Sequence, residues 1–220
     1  IVEGEDFNSF YGGYFEKNAD GSFVTDAGGF PVIADENGVT GSAQPDYRAG
    51  LGASITKGNW DLSFIFETTQ GNEMWAGTYS VLHYFGIHPN TAVESVAPAD
   101  LATYGGGSTI PAGTTFRGNV GNFGGGPVAL EESWYRTDGG GFGSQDELFI
   151  FDASFIKLRE VSLSYSLPSS ILEPIGAKGG SLGITGRNFL LQTDFPDVDP
   201  EISLVGAGKA RGVEYFTNPN

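Results

Sequence analysis

The sequence predicts an all-β chain that forms part of a large antiparallel transmembrane β-barrel with long extracellular loops. Three observations predict it: a composition rich in glycine and aromatics but poor in charge, segments that alternate apolar with polar residues, and connections that alternate long with short. The 220 residues include 35 glycines, with 13% aromatic and only 17% charged residues. Glycine weakens helices, whereas aromatic side chains suit a pleated surface. Disorder would need lower hydrophobicity and higher charge. A formal charge of −16 argues against a nucleic-acid partner, which needs clustered Lys and Arg. There is no cysteine, hence no disulfide framework and no thiolate metal site. No apolar run reaches the roughly 18 residues of a membrane helix. Mean hydropathy of −0.13 still suits a membrane strand, in which every second residue faces water. The sequence opens at Ile1 without a basic-then-apolar leader, so any signal peptide is expected upstream.

Five segments carry the alternation. The first is 7–15 (FNSFYGGYF). The second, 47–56, sets Tyr47, Ala49, Leu51, Ala53 and Ile55 on one face against Arg48, Gly50, Gly52, Ser54 and Thr56. The third, 60–68, sets Trp60, Leu62, Phe64 and Phe66 against Asp61, Ser63 and Glu67, with only Ile65 breaking the polar side. The fourth, 153–167, opposes Val161, Leu163, Tyr165 and Leu167 to Glu160, Ser162, Ser164 and Ser166. Lys157 and Arg159 share the parity of Val161, so a bulge near Leu158, or an exposed rim, is required. The fifth, 181–191, sets Leu182 and Ile184 against Ser181, Gly183, Thr185 and Arg187, and the segment from Gly212 onward would begin a sixth.

Alternation alone fits a soluble β-sandwich as well as a barrel. The connections separate the two. Residues 16–46, 69–152 and those after 191 make long excursions, whereas 57–59 and 168–180 are short. Short periplasmic turns with long external loops are the rhythm of an outer-membrane barrel, and so long a loop inside a compact soluble domain would be unusual. Trp60 and Tyr165 then fall at the same end of the sheet, where an interfacial aromatic girdle belongs. In the connection 168–180, Pro168 and Ser169–Ser170 would start one helical turn and Gly176 would end it. Five or six strands do not close a barrel, and an open edge is not tolerated in lipid. The chain is therefore expected to oligomerise or, preferably, to be the C-terminal part of a longer barrel.

FDASFIKLREVSLSYSLPSSIL (151–172) followed by SLGITGRNFLLQTDFPDVDPE (181–201) resembles the C-terminal signature of the SusC/RagA family, TonB-linked outer-membrane proteins of Bacteroidota. GEDFNSFYGGYF near the start and PDYRAGLGASITKGNWDLSFIFETTQGNEMW (45–75) resemble that family's upstream strands, in the same order. The resemblance covers nearly the whole chain apart from about 78–148. It implies a barrel of about 22 strands with an N-terminal plug and a SusD-like surface lipoprotein as partner. It also implies import of oligosaccharides or oligopeptides with energy from TonB–ExbB–ExbD, reached through segments upstream of this chain. It places the protein in the outer membrane of a Gram-negative bacterium, with 70–150 as a long extracellular loop. The family ends in a further strand with a terminal aromatic residue, whereas this sequence stops at Asn220.

Candidate sites are few. His83 and His88, the two histidines, are spaced five apart, which does not match the helical pair of a zinc site, and an ordinary loop role is the simpler reading. Asp194, Asp197, Asp199 and Glu201 offer oxygen ligands for calcium but lack the glycine and spacing of an EF-hand loop. Asn18-Ala19-Asp20-Gly21 and Asp35-Glu36-Asn37-Gly38 read as turns. The glycine runs 105–107 and 124–126 lack the Lys and Ser/Thr of a phosphate loop. No nucleophile motif or distinctive carboxylate pair points to an enzyme. Trp75, Tyr79, Tyr84, Trp134 and Tyr135, with Arg136, would contact a sugar or peptide or, preferably, pack against a lipoprotein lid, since Tyr, Trp and Arg favour interfaces. Two other functions remain open on the sequence: a structural subunit of a larger outer-membrane complex, and a secreted carbohydrate-binding sandwich.

Overall fold

The computed structural model describes residues 3–141, 145–204 and 211–216. They divide into two compact units, one of Pro45–Asn72 with Asp152–Phe195, the other of residues 1–44, 73–151 and 196–220. The first unit is a four-stranded antiparallel sheet with Tyr47–Lys57 at one edge, then Trp60–Gln70, Phe155–Ser166 and, at the other edge, Ser181–Thr193. The strands are 11, 11, 12 and 13 residues long, enough for a tilted strand to cross a bilayer's hydrocarbon.

The register carries the predicted alternation across all four strands. Ile55, Leu62, Leu163 and Ile184 form one cross-strand row, and Lys57, Trp60, Tyr165 and Leu182 the next. The apolar rows lie on a face left open: Leu51 is 64% exposed, Ile55 58% and Ile184 73%. A sandwich would cover these side chains with a facing sheet. No described residue covers them so: Leu163 and Leu182 are likewise exposed. On the other face, Ser54, Ser63, Ser162 and Thr185 form a row of hydroxyls, and the Ser162 and Thr185 oxygens lie 2.8 Å apart.

The bulge demanded by Lys157 is present. Leu158 lies opposite Phe66 and Glu160 opposite Ile65, so Arg159 is an extra residue relative to the neighbouring strand. On the edge strand, Leu190 and Arg187 face Leu158 and Glu160, so Asn188 and Phe189 are both extra there. Asn188 takes φ +53, the left-handed conformation that asparagine tolerates. The extra residue moves Lys157 off the apolar face and places it opposite Glu67, while Arg159 Nε bonds Glu67 at 2.6 Å and Arg187 Nε bonds Glu160 at 3.0 Å.

At one end of the sheet the connections are short. Gly58 turns the first hairpin at φ +62, and Trp60 packs on Tyr165 with ring centroids 4.7 Å apart. The other short connection holds the helix Ser169–Leu172 and a 3-10 turn Glu173–Ile175, and Gly176 ends it at φ +71, as the sequence predicts. All four strands meet their long connections at the opposite end.

The second unit is irregular and built on aromatic packing. Phe15, Phe30, Val128 and Trp134 are buried together, with Phe23, Tyr104, Phe123 and Tyr135 against them. Trp134 sits 5.6 Å from Phe30 and 5.1 Å from Tyr104, centroid to centroid. A smaller cluster gathers Ala97, Leu101 and Ala129 with Ile110 and Phe116. Two expectations are corrected here. The first predicted strand shortens to Ser9–Gly12, paired with Gly38–Ser42, because Phe15 turns into the aromatic core. The predicted sixth strand is only Val213–Glu214, running parallel to Trp75–Ala76; its continuation from 217 lies outside the described residues.

Glu214 explains why that short strand holds. Its carboxylate, 1% exposed, accepts from Thr78 N at 3.0 Å and Thr78 Oγ1 at 2.6 Å at the start of the Gly77–Tyr84 helix. Gly140 is a further tight point, since a Cβ there would stand 1.9 Å from the Tyr135 carbonyl oxygen.

Two predictions follow from this architecture. Val161→Arg, on the open apolar face, is expected to cost about 2–4 kcal/mol of folding into a bilayer, with little loss for Ser162→Arg on the polar face. Folded fraction across a denaturant titration in lipid vesicles measures both, and equal losses would reverse the assignment of faces. Gly140→Ala should destabilise the aromatic unit by about 1–3 kcal/mol through overpacking, seen as faster proteolysis within 73–141 while the sheet stays protected.

Candidate functional site

The second unit encloses a cavity of about 610 Å³. Its apolar walls are Tyr84, Phe85, Ile87, Ile110 and Phe116, and its charged groups are Arg117, Arg136, Glu131 and Glu132. The Gly77–Tyr84 helix brings His83 and Tyr84 to it, and the Glu132–Tyr135 helix brings Tyr135. Arg117 is fixed by two backbone carbonyls, Nε to Thr91 O at 3.1 Å and Nη2 to Gly86 O at 2.7 Å. The Arg136 guanidinium lies 5.4 Å from the Tyr84 ring centroid and 3.8 Å from Glu132. Both of these last contacts are exposed and contribute little stability.

Behind the cavity stand two buried imidazoles. The rings of His83 and His88 stack with centroids 4.2 Å apart and planes 22° apart. Their partners fix the tautomers. Tyr79 O, a pure acceptor, lies 2.8 Å from His83 Nδ1, so the proton is on Nδ1 and Nε2 is an acceptor. Asn90 N donates to His88 Nδ1 at 3.1 Å, so His88 carries its proton on Nε2, which meets Asp197 Oδ2 at 2.9 Å. Burial holds His83 below the ordinary imidazole value, an effect the Tyr79 hydrogen bond opposes, His88 reinforces and Asp197 opposes. Burial likewise raises the Tyr135 and Tyr79 phenols, so both are neutral. Tyr135 OH receives a hydrogen bond from Asn119 Nδ2 at 3.2 Å.

No protein-family model matches the sequence. It is 26% identical to TonB-dependent receptor P3 of Formosa agariphila, over all of this chain and 22% of that protein. It is 30% identical to TonB-dependent receptor P26 of the same organism, over 88% of this chain and 16% of that protein. Among solved structures, that of the RagAB peptide transporter matches 97% of this chain and 22% of its own, with TM-score 0.53 and 19% identity. The RagAB peptide importer in its open-open state matches 96% of this chain and 21% of its own, with TM-score 0.51 and 17% identity. The chain is SusC/RagA-like. It spans about a fifth of the length of the curated relatives it matches, and the likeness to the solved structures is one of fold: an all-β chain built as part of a barrel.

Within this SusC/RagA-like chain, the six aromatic and arginine candidates separate. Tyr84, Tyr135 and Arg136 come together at the cavity. Tyr79 packs behind it on His83, His88 and Phe151. Trp75 stacks on Tyr215 with centroids 6.0 Å apart. Trp134 is corrected from a surface contact to a core residue, 3% exposed, because four aromatic neighbours enclose it. Among the described residues, no group of three or more His, Cys, Asp or Glu side chains is arranged to hold a metal ion. Of the calcium candidates, Asp197 engages His88, and Asp199 Oδ1 accepts from Glu201 N at 3.1 Å. Sequence reasoning missed the His83–His88 stack, because a spacing of five matches no helical face, and its anchor on Asp197, because a contact so distant in sequence gives no periodic signal.

The neutral His83 yields a pH prediction. Its folded value lies below the unfolded value near 6.5, so its contribution to stability is present above about 6.5 and is lost as pH falls toward the folded value. Protection of the Gly77–Tyr84 helix amides, corrected for intrinsic exchange, is expected to fall below about pH 6.5 and to lose that dependence in His83→Gln. A His83 titration midpoint above the ordinary imidazole value, read by NMR, would contradict the burial argument.

Proposed function

We propose that this chain belongs to an outer-membrane importer of oligosaccharides or oligopeptides, driven through TonB and paired with a SusD-like surface lipoprotein. The observation that carries this reading is the sheet. Four strands of membrane-spanning length present one continuous apolar face, open and uncovered, and one face of hydroxyls and ion pairs. Apolar side chains meet lipid and polar ones line a wet lumen in such barrels. The curated relatives are named TonB-dependent receptors, and the RagAB structures are those of a peptide importer. Both support transport over catalysis. The irregular unit, an aromatic-cored elaboration of the long connections, supplies the extracellular surface of this reading, and the lipoprotein docks there.

The test is made on the intact protein in its native membrane. Fluorescent oligosaccharide and oligopeptide pools are supplied to cells with and without the gene, with and without a proton uncoupler. Uptake of one pool that needs both the gene and the proton gradient is the expected result. Recovery of the protein from the soluble fraction, or uptake unchanged by its loss for every pool, would overturn the reading.

A further inference from the structure

The cavity in the aromatic unit has one imidazole, His83, in its wall. His83 is 5% exposed yet lines the cavity. Its Nδ1 is turned to the carbonyl of Tyr79 in its own helix, and its ring packs on Tyr79, His88 and Tyr135 at centroid distances of 4.2, 4.2 and 5.7 Å. The distal ring edge, bearing Nε2, is what remains to face the cavity. In the Nδ1–H tautomer that nitrogen is an acceptor, and no described residue donates to it. An imidazole acceptor in a cavity wall that no described side chain engages is open to a donor on a bound molecule.

The rest of the lining says what that something is. Tyr84, Phe85, Ile87, Ile110 and Phe116 make a wall suited to a flat apolar ring. Two arginines and two glutamates cancel in charge, which favours a neutral occupant. Arg117 is tied to Gly86 O and Thr91 O, so it shapes the rim without swinging in to fill the space. A volume of about 610 Å³ falls within the roughly 300–1,000 Å³ of small-molecule sites.

We propose that this cavity binds a neutral aromatic group whose ring carries one O–H or N–H donor, a phenol or an indole, with His83 Nε2 accepting that hydrogen bond. The site is separate from any question of transport, because binding is read on the purified protein whether or not it imports anything. His83 is the specificity-determining residue: the apolar wall accepts any ring, and the imidazole selects the one that donates.

The intact protein in detergent is titrated with N-acetyl-tyrosinamide and N-acetyl-phenylalaninamide, neutral probes that differ by one hydroxyl, and binding is followed by calorimetry. The tyrosine probe is expected to bind about tenfold more tightly, the discrimination of one neutral hydrogen bond. His83→Phe, which keeps a ring in place, is expected to abolish the difference while retaining binding of both. Phe116→Trp, which intrudes on the cavity without touching the imidazole, is expected to weaken both probes alike. Equal affinity of the two probes for the unaltered protein, a preference that survives in His83→Phe, or no binding of either probe would each overturn the proposal.

Discussion

Parity governs the four-stranded sheet. Side chains along a strand alternate between two faces, so a slip of one residue exchanges every lipid-facing side chain for a polar one. Where one face meets hydrocarbon, that exchange is prohibitive, and the chain must keep count across every strand. The count is kept by a graded bulge. At the level of Phe66 and Ile65 the inner strand has no extra residue, its neighbour has Arg159, and the edge strand has Asn188 and Phe189. The ladder bends there, yet Leu158 and Leu190 stay level with Phe66 on the apolar side while Glu160 and Arg187 stay level with Ile65 on the polar side. One inserted residue thus keeps an ammonium, Lys157, opposite a carboxylate, Glu67, instead of among hydrocarbon side chains.

The second unit meets the same demand for backbone hydrogen bonds by different means. Its strands are short and its turns many, so ladders leave many N–H groups without partners. Carboxylates take them up. Glu147 accepts from Phe15 N, Glu73 from Ser42 N, Asp26 from Gly28 N and Phe30 N, and Glu214 from Thr78 N. This gives the acidic composition, 27 Asp and Glu against 11 Lys and Arg, a structural use besides solubility. Carboxylates are acceptor-only groups with several lone pairs, well matched to a fold whose shortage is of acceptors for backbone donors.

The contrast explains what was legible in the sequence. The second to fifth predicted strands, the Leu158 bulge, the 168–180 helical turn and the Trp60–Tyr165 pair at its neighbouring end were readable, because period-two alternation and turn chemistry are local signals. The aromatic core was not, since Phe15, Phe30, Val128 and Trp134 have no common period and meet only through long-range packing. Trp134 illustrates the ambiguity. A tryptophan in a glycine-rich loop reads as an exposed contact until Phe15, Phe30, Tyr104 and Phe123 are found around it. The short strand Ser9–Gly12 failed for the same reason, as its alternation ran on into a residue needed for that core.

The two histidines show how backbone geometry can fix a side chain's chemistry. A carbonyl of the helix selects Nδ1–H on His83, whereas on His88 an amide N–H of the following turn and the Asp197 carboxylate together select Nε2–H. The two rings stack, and burial holds the His83 ring in its neutral form. The stacked rings thus present opposite hydrogen-bonding ends: a donor locked onto Asp197 and, at His83 Nε2, an acceptor to which no described residue donates.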